Sequence, residues 1–304
     1  MARKQFLSFL LIFSLLFSCA SALAETDDDD DWDDNVDDAW EMEHPLHSGD
    51  YAYALLDDGT VEITSYGGAD TEIVIPDTLD GKSATAIGER AFYYSLSLTS
   101  VTIPDSVTCI SKRAFSCCYN LMSIALPSGL TAIEPGTFEL CNSLTSIAIP
   151  DSITTIAEDA FVSCKALQSF TLSPNHPYFF LADGALCRTV DNTLLFYPNA
   201  RENRTYRIPD GIAAISAYAF YDCDLLESVV IPDSITQIPE RAFYGCSALA
   251  SVSLPDSLTE IGNGAFSNCT ALTLTVTPDS YAAEYAKANN IPYTYPDAND
   301  WLNN

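Results

Sequence analysis

The sequence predicts a solenoid of stacked short-strand coils, and three observations carry that expectation. Proline follows isoleucine or leucine at Pro76, Pro104, Pro127, Pro150, Pro209, Pro232 and Pro255. From Pro104 to Pro150, and again from Pro209 through Pro255 to Pro278, the numbering advances by a constant step of 23. Phenylalanine keeps the same step at Phe92, Phe115, Phe138 and Phe161, then at Phe220, Phe243 and Phe266. Three residues after six of these stands a cysteine: Cys118, Cys141, Cys164, Cys223, Cys246 or Cys269. A period in the range of roughly 20–29 residues, with a short apolar strand in each unit, is the signature of a leucine-rich-repeat solenoid. Its coils bury their apolar side only against one another. The fold class expected is thus repeat α/β, mainly short parallel strands in about eight coils. An N-terminal β-hairpin and a short C-terminal helix close its ends.

Along the chain, residues 1–24 read as a signal peptide. Arg3 and Lys4 supply positive charge, Phe6–Phe17 is an apolar run broken only by Ser8 and Ser14, and Ala22-Leu23-Ala24 gives an A-x-A cleavage site. The run is too short to span a bilayer, and no later segment approaches the ~18 apolar residues of a membrane helix. Secretion with cleavage after Ala24 is expected; lipidation at Cys19, within Leu16-Phe17-Ser18-Cys19, is the alternative. Residues 25–50 carry 13 acidic residues and no Lys or Arg, a self-repelling composition that reads as a disordered spacer.

Residues 51–75 form the expected N-terminal cap, a hairpin turning at Asp57-Asp58-Gly59-Thr60. The solenoid spans 76–277. One of its units is Leu144-Thr145-Ser146-Ile147-Ala148-Ile149-Pro150, where Leu144, Ile147 and Ile149 give the L-x-x-L-x-L pattern of a strand facing the interior. Proline ends the strand because it has no amide hydrogen to donate. Ile153-Thr154-Thr155-Ile156 turns the chain back, and Ala160-Phe161 fills the coil from an expected helical turn. From Phe161 to Phe220 the numbering advances by more than two steps, so an irregular insertion is placed at 174–208. It is expected to hold a hairpin pairing Phe180–Cys187 with Leu194–Tyr197 around Asp191-Asn192. In the closing segment 278–304, Ser280 caps a helix over 281–289 that ends at Asn289 and Asn290.

Leu-x-Ser-Val-x-Ile-Pro-Asp-Ser-Val-Thr-x-Ile at 98–110 and Ala-Phe-Tyr-Gly-Cys at 242–246 resemble the BspA-like leucine-rich-repeat proteins of bacterial surfaces. The likeness covers roughly residues 51–295. It implies an irregular coil such as 174–208 and a C-terminal closing element such as 278–287. It also implies adhesion to host or extracellular-matrix surfaces and bacterial co-aggregation.

Chemistry-bearing residues are sparse. The six cysteines repeat at one position of successive coils, where backbones lie about 4.8 Å apart. That exceeds the ~3.8 Å Cβ separation of a relaxed disulfide, so buried unpaired thiols are expected. Cys109 and Cys117, off this ladder, are the better candidates for pairing. Three histidines occur, His44, His47 and His176, and only His176 falls within the repeats. No G-x-S-x-G, P-loop or H-E-x-x-H motif is present, so neither enzyme, cofactor nor metal site is expected.

With 42 acidic and 13 basic residues the net charge is −29, which disfavours nucleic acid and anionic membranes as partners. Of these, 29 acidic and 11 basic residues lie in 51–304, a net of −18. Outward strand positions such as Ser100/Thr102, Ser146/Ala148 and Ser251/Ser253 are small and uncharged, poor anchors for a partner. Aromatic residues beside the phenylalanines and in the insertion are better ones, and Tyr93, Tyr94, Tyr119, Tyr178, Phe179, Tyr221 and Tyr244 are the candidate contacts. The function expected is non-catalytic binding of extracellular proteins or glycans, with a self-associating envelope or matrix component as the alternative.

Overall fold

The computed structural model describes residues 45–296. The signal peptide, Cys19, the acidic stretch as far as residue 44 and the last residues 297–304 lie outside the described residues. The fold below is that of the compact unit that begins at His47, with Leu46 opening its first strand.

Strand β1 (Leu46–Ser48) runs into β2 (Tyr51–Leu55) through Gly49, whose φ is +59°. The last residues of the 25–50 segment are therefore folded, and Ser48 Oγ donates to Asp80 Oδ1 at 2.9 Å. β2 pairs antiparallel with β3 (Val61–Tyr66), the expected hairpin. In its turn the Asp58 carboxylate accepts from the Thr60 amide at 2.9 Å and the Thr60 hydroxyl at 2.6 Å. β4 (Glu72–Val74) begins the front ladder of the solenoid, and the hairpin β5 (Thr78–Leu79) and β6 (Lys82–Ile87) follows. β6 pairs parallel with β3, so the cap hairpin is itself the first rung of the back ladder and covers its open edge.

Each regular coil then contributes a three-residue front strand and a two-residue back strand. In order these are β7 (Ser100–Thr102), β8 (Cys109–Ile110), β9 (Ser123–Ala125), β10 (Ala132–Ile133), β11 (Ser146–Ala148), β12 (Thr155–Ile156) and β13 (Ser169–Thr171). Pairing is parallel and in register, as in Ser146↔Ser169 and Ile147↔Phe170. Only the middle residue of each front strand is buried: Val101, Ile124, Ile147, Phe170. The period-2 pleat sends its two neighbours outward, so the apolar-in, small-out pattern of the sequence is realised.

The segments carrying the phenylalanines are turns, not the helical turns expected. Residues two before and two after most of the rings adopt left-handed backbone, for example Arg90 (φ +57°) and Tyr94 (φ +59°) around Phe92, and Tyr218 (φ +60°) and Asp222 (φ +54°) around Phe220. Two left-handed residues flanking one ring prevent a helix from propagating. They curl the chain so that the ring points inward while its amide bonds the next coil, as in Phe92 N–H to Ala114 O at 2.8 Å.

The insertion holds three strands rather than one hairpin: β14 (Phe179–Ala182), β15 (Ala185–Arg188) and β16 (Thr193–Phe196) form an antiparallel meander. Its first turn is Asp183-Gly184, both at positive φ, the Asp-Gly signal of a two-residue hairpin. β16 then pairs parallel with a back strand further on, β18 (Ala214–Ile215), and restores the back ladder. Both faces of the meander are covered. Leu186, Leu195 and Phe196 join a first core that begins at Tyr53; Ala185, Cys187, Leu194 and Tyr197 join a second that runs to Ala286. The solenoid thus has two cores with a β-partition between them.

Front strands resume at β17 (Thr205–Arg207), which pairs with no β13 residue among the described residues. β19 (Ser228–Val230), β20 (Gln237–Ile238), β21 (Ser251–Ser253), β22 (Glu260–Ile261) and β23 (Thr273–Thr275) repeat the pattern. Helix α1 (Tyr281–Ala288) buries Ala282, Ala283 and Ala286 against the last coil, with Ser280 Oγ accepting from the Ala283 amide at 3.2 Å. β24 (Tyr293–Thr294) adds the final rung.

Candidate binding surfaces

The reactive residue types are used for structure. All six ladder cysteines are unpaired and all but Cys269 are fully buried. Each donates its S–H to the carbonyl of the aromatic residue one coil earlier: Cys118 to Phe92 O at 3.0 Å, Cys164 to Phe138 O at 3.1 Å, Cys246 to Phe220 O at 3.0 Å. They are inter-coil donors as well as apolar fillers. Burial pushes Cys118 and Cys164 up to about 12, so these thiols stay protonated and unreactive. Cys117 is likewise a free, buried thiol.

His176 is 8% exposed and both ring nitrogens are engaged. Nδ1 accepts the amides of Tyr178 (3.3 Å) and Phe179 (3.2 Å), which leaves Nε2–H to donate to Pro150 O at 3.0 Å. The ring pins the start of the insertion and has no lone pair left for general-base work. Among the described residues, no group of three or more His, Cys, Asp or Glu side chains could hold a metal ion. No helix among them is long and apolar enough to cross a membrane.

The candidate tyrosines fall into two clusters at one position of the repeat, the turns beside the phenylalanines. In the first, Tyr94 lies 6.2 Å from Tyr93 and 5.9 Å from Tyr119, edge to face with the latter, and Arg90 sits 6.0 Å above the Tyr93 ring. Tyr93 and Tyr94 are exposed, beside exposed Leu96 and Met122. Hydrogen bonding to the Cys117 thiol holds the hydroxyls of Tyr93 and Tyr119 above the ordinary phenol value, so both present neutral donors. In the second, Tyr221 and Tyr244 stack at 4.9 Å with Tyr218 alongside at 5.8 Å, and burial raises the Tyr221 hydroxyl. Aromatic faces flanked by polar groups suit contact with a partner at small entropy cost.

Tyr178 is exposed at the insertion, edge-on to His176. Phe179 is not a surface residue: it is 2% exposed, packed in the first core 5.3 Å from the His176 ring. It stands one full repeat step after inward Ile156, so the period itself directs it inward. Leu96, Met122 and Tyr218 are surface members that sequence reasoning missed. Tyr218 precedes its phenylalanine by two, where only the left-handed turn reveals an outward position.

Two hollows complete the surface. One of about 650 Å³ lies beside the insertion, against Leu172, Pro174, His176 and Phe180. The other, about 840 Å³, crosses the C-terminal coils, floored by Val230, Leu254 and their neighbouring prolines and edged by Asp210, Asp233 and Asp256.

Coils of constant length, each with one parallel front strand and closed by caps at both ends of the stack, define a leucine-rich-repeat solenoid. The chain belongs to the BspA type leucine rich repeat family, whose model matches residues 71–180 and 196–288 in six copies. The unmatched stretch between these ranges covers most of the β-partition. Among solved structures, a leucine-rich repeat protein from Eubacterium ventriosum is similar at 25% identity and TM-score 0.58, covering 75% of this chain and 70% of that one. The pneumococcal vaccine antigen PcpA is similar in fold at 18% identity and TM-score 0.51, with 76% and 81% covered. A Treponema pallidum leucine rich repeat protein is 26% identical over 83% of this chain and 98% of its own, with a TM-score of 0.46. No curated protein sequence matches the chain.

Proposed function

We propose that the protein is exported and acts outside the cell as a non-catalytic binding protein, attaching to proteins or glycans in adhesion to host or extracellular-matrix surfaces. The observation that carries this reading is the placement of tyrosines on the turn edge of a rigid stack, Tyr93, Tyr94 and Tyr119 on one core and Tyr221 and Tyr244 on the other. Export is supported by the signal-peptide composition of residues 1–24, and the carboxylate-rich stretch that follows is read as the spacer between that leader and the solenoid. His176 and the ladder thiols, engaged in structural hydrogen bonds, favour binding over turnover.

The test is a screen of the mature chain against extracellular-matrix proteins and glycans, repeated with Tyr93→Ala/Tyr94→Ala/Tyr119→Ala and with Tyr221→Ala/Tyr244→Ala. At least one variant should lose a captured partner about ten-fold or more, the scale of one interface hot spot. A screen without partners, or partners held equally by all three proteins, overturns the reading.

A further inference from the structure

β14 is the outer strand of the partition and pairs with β15 alone. In an antiparallel pair, opposed residues alternate between those that exchange hydrogen bonds and those whose main-chain groups point away. Thr189 N–H donates to Tyr178 O at 2.9 Å, which sets the phase of that alternation. Phe180 and Ala182 therefore turn their main-chain groups toward β15, while Phe179 and Leu181 turn theirs to the free edge. The Phe179 amide is taken by His176 Nδ1 at 3.2 Å. Leu181 N–H, Leu181 C=O and Phe179 C=O have no partner among the described residues. The edge thus carries one open donor and two open acceptors.

An open edge is a template for another chain unless charge, proline or shortness guards it. β4, the first rung of the front ladder, carries exposed Glu72. β24, the last, is a two-residue strand with Pro292 before it and Pro296 after. β14 reads Phe-Phe-Leu-Ala, with neither charge nor proline. The nearest charges are already matched, Asp183 with Arg201 at 2.9 Å and Arg188 with Asp191 at 2.7 Å. Around the strand stands an exposed apolar set, Tyr178, Leu181 and Val190. The hollow of about 650 Å³ opens against it, and its apolar lining is accessible: Leu172 and Phe180 are half-buried, Pro174 and Leu181 exposed. Open main-chain groups, apolar side chains and a hollow to receive them coincide at one place.

We infer that β14 pairs antiparallel with β14 of a second copy across a two-fold axis, joining two partitions into one continuous sheet. Leu181 supplies both a donor and an acceptor, so two copies related by a two-fold satisfy each other, N–H of each to C=O of the other. Opposed residues of such a pair share one side of the sheet, so Leu181 of each copy lies over the hollow of the other. A foreign strand has to be matched to this edge, whereas a second copy matches it by symmetry and is present wherever the protein is. A glycan has no main-chain amides for the edge and leaves the apolar set wet. The contact holds no ion pair, and the solenoid's net charge of −18 opposes it, so screening by salt strengthens the dimer. The inference does not need the binding role proposed above.

The experiment is sedimentation equilibrium of the mature chain from the micromolar to the near-millimolar range, in low and in physiological salt. A monomer–dimer equilibrium that tightens with salt is expected. Leu181→Lys keeps the amide but puts a charge on the edge, and Leu181→Pro removes the donor where an edge strand tolerates proline. Each should dimerise about ten-fold more weakly or worse, the scale of one interface hot spot, with circular dichroism like the parent's. Should Leu181→Pro fail to fold, Leu181→Lys decides. Val74→Lys, at an exposed apolar position of β4, should dimerise like the parent. Hydrogen exchange gives a local readout: the Leu181 amide should gain protection as the parent is concentrated, and the amide of residue 181 in Leu181→Lys should not. A monomer under every condition overturns the inference, as does a Leu181→Lys dimer of parental affinity or a Leu181 amide that exchanges equally in monomer and dimer. Growth beyond the dimer also overturns it, because a two-fold contact closes on itself. Each of these failures leaves the tyrosine clusters to be judged by their own screen.

Discussion

In the first core Phe92, Phe115, Phe138 and Phe161 stack with centroids 4.9, 5.9 and 5.5 Å apart. In the second Tyr197, Phe220, Phe243 and Phe266 repeat the column at 5.4, 4.6 and 5.3 Å, with Tyr197 standing in for the missing phenylalanine. The interiors are near copies, while the exteriors diverge. The first half uses aspartates at one margin of its front sheet as coil-to-coil locks, Asp105 accepting from Ser128 and Asp151 from Ser173, and exposes an apolar tyrosine cluster. The second leaves Asp233 and Asp256 unmatched along a groove. An inward position is constrained by two stacked neighbours of the same kind, so every coil must answer alike. An outward position is constrained only by what the next coil happens to offer, so a Ser or an Asp there changes its meaning.

Between the halves the coil carrying Tyr197 is recessed, and the turns on either side close over it. Ser163 Oγ donates to Asp222 at 2.8 Å, Lys165 meets Asp224 at 3.2 Å, and Ser216 Oγ donates to Glu158 at 2.8 Å. If the cores are separate cooperative units, truncating one column should be felt on its own side of the partition. Phe138→Ala, at a fully buried position, should cost about 3–5 kcal/mol and lower hydrogen-exchange protection in 53–196 far more than in 205–286. Phe243→Ala should give the mirror image. Equal loss across both ranges would make the cores one unit.

The thiol ladder is a feature the halves share, and alkaline pH addresses it. The folded state holds Cys118 and Cys164 protonated up to about 12, against an ordinary value of 9.0. Stability is full below about pH 9, where folded and unfolded thiols both keep their protons, and falls toward pH 12 as only the unfolded thiols ionise. The loss is at most about 4 kcal/mol per thiol. Urea unfolding between pH 8 and 11 should show it, and Cys164→Ala should flatten the slope.

Smaller effects sharpen the picture at the partition and the margin. Tyr206, buried in the second core, donates its hydroxyl to Ala182 O at 2.9 Å and so ties β17 to the meander. Tyr206→Phe leaves that buried carbonyl without its donor, for a loss of about 1–3 kcal/mol by calorimetry. At the margin, Asp105→Ala should lower Tm slightly by unlocking Ser128, whereas Asp233→Ala should leave it unchanged or raised. Equal shifts in the two variants would erase the contrast between the halves.

Much of this architecture is legible in the chain. The constant step places the strands and the inward phenylalanines, because each follows from local pattern repeated against itself, while the turn at Asp57-Asp58-Gly59-Thr60 and the helix cap at Ser280 mark the two ends. Asp183-Gly184 marks the extra hairpin, though Thr193-Leu194-Leu195-Phe196 reads only as an apolar run. Nothing in such a run says that alternate residues enter different cores. The left-handed turns are equally silent, since Arg90, Tyr94 and Leu140 are not residues that announce positive φ.

By itself, then, the sequence determined a leucine-rich-repeat stack and the inward set of every regular coil, because those depend on periodicity alone, and local turn and helix-cap signals marked its two ends. Only the tertiary structure decided that the stack has two cores and that Asp105 is satisfied where Asp233 is not. Those depend on which side chain stands one coil away, a distance of ~4.8 Å in space but a whole repeat along the chain.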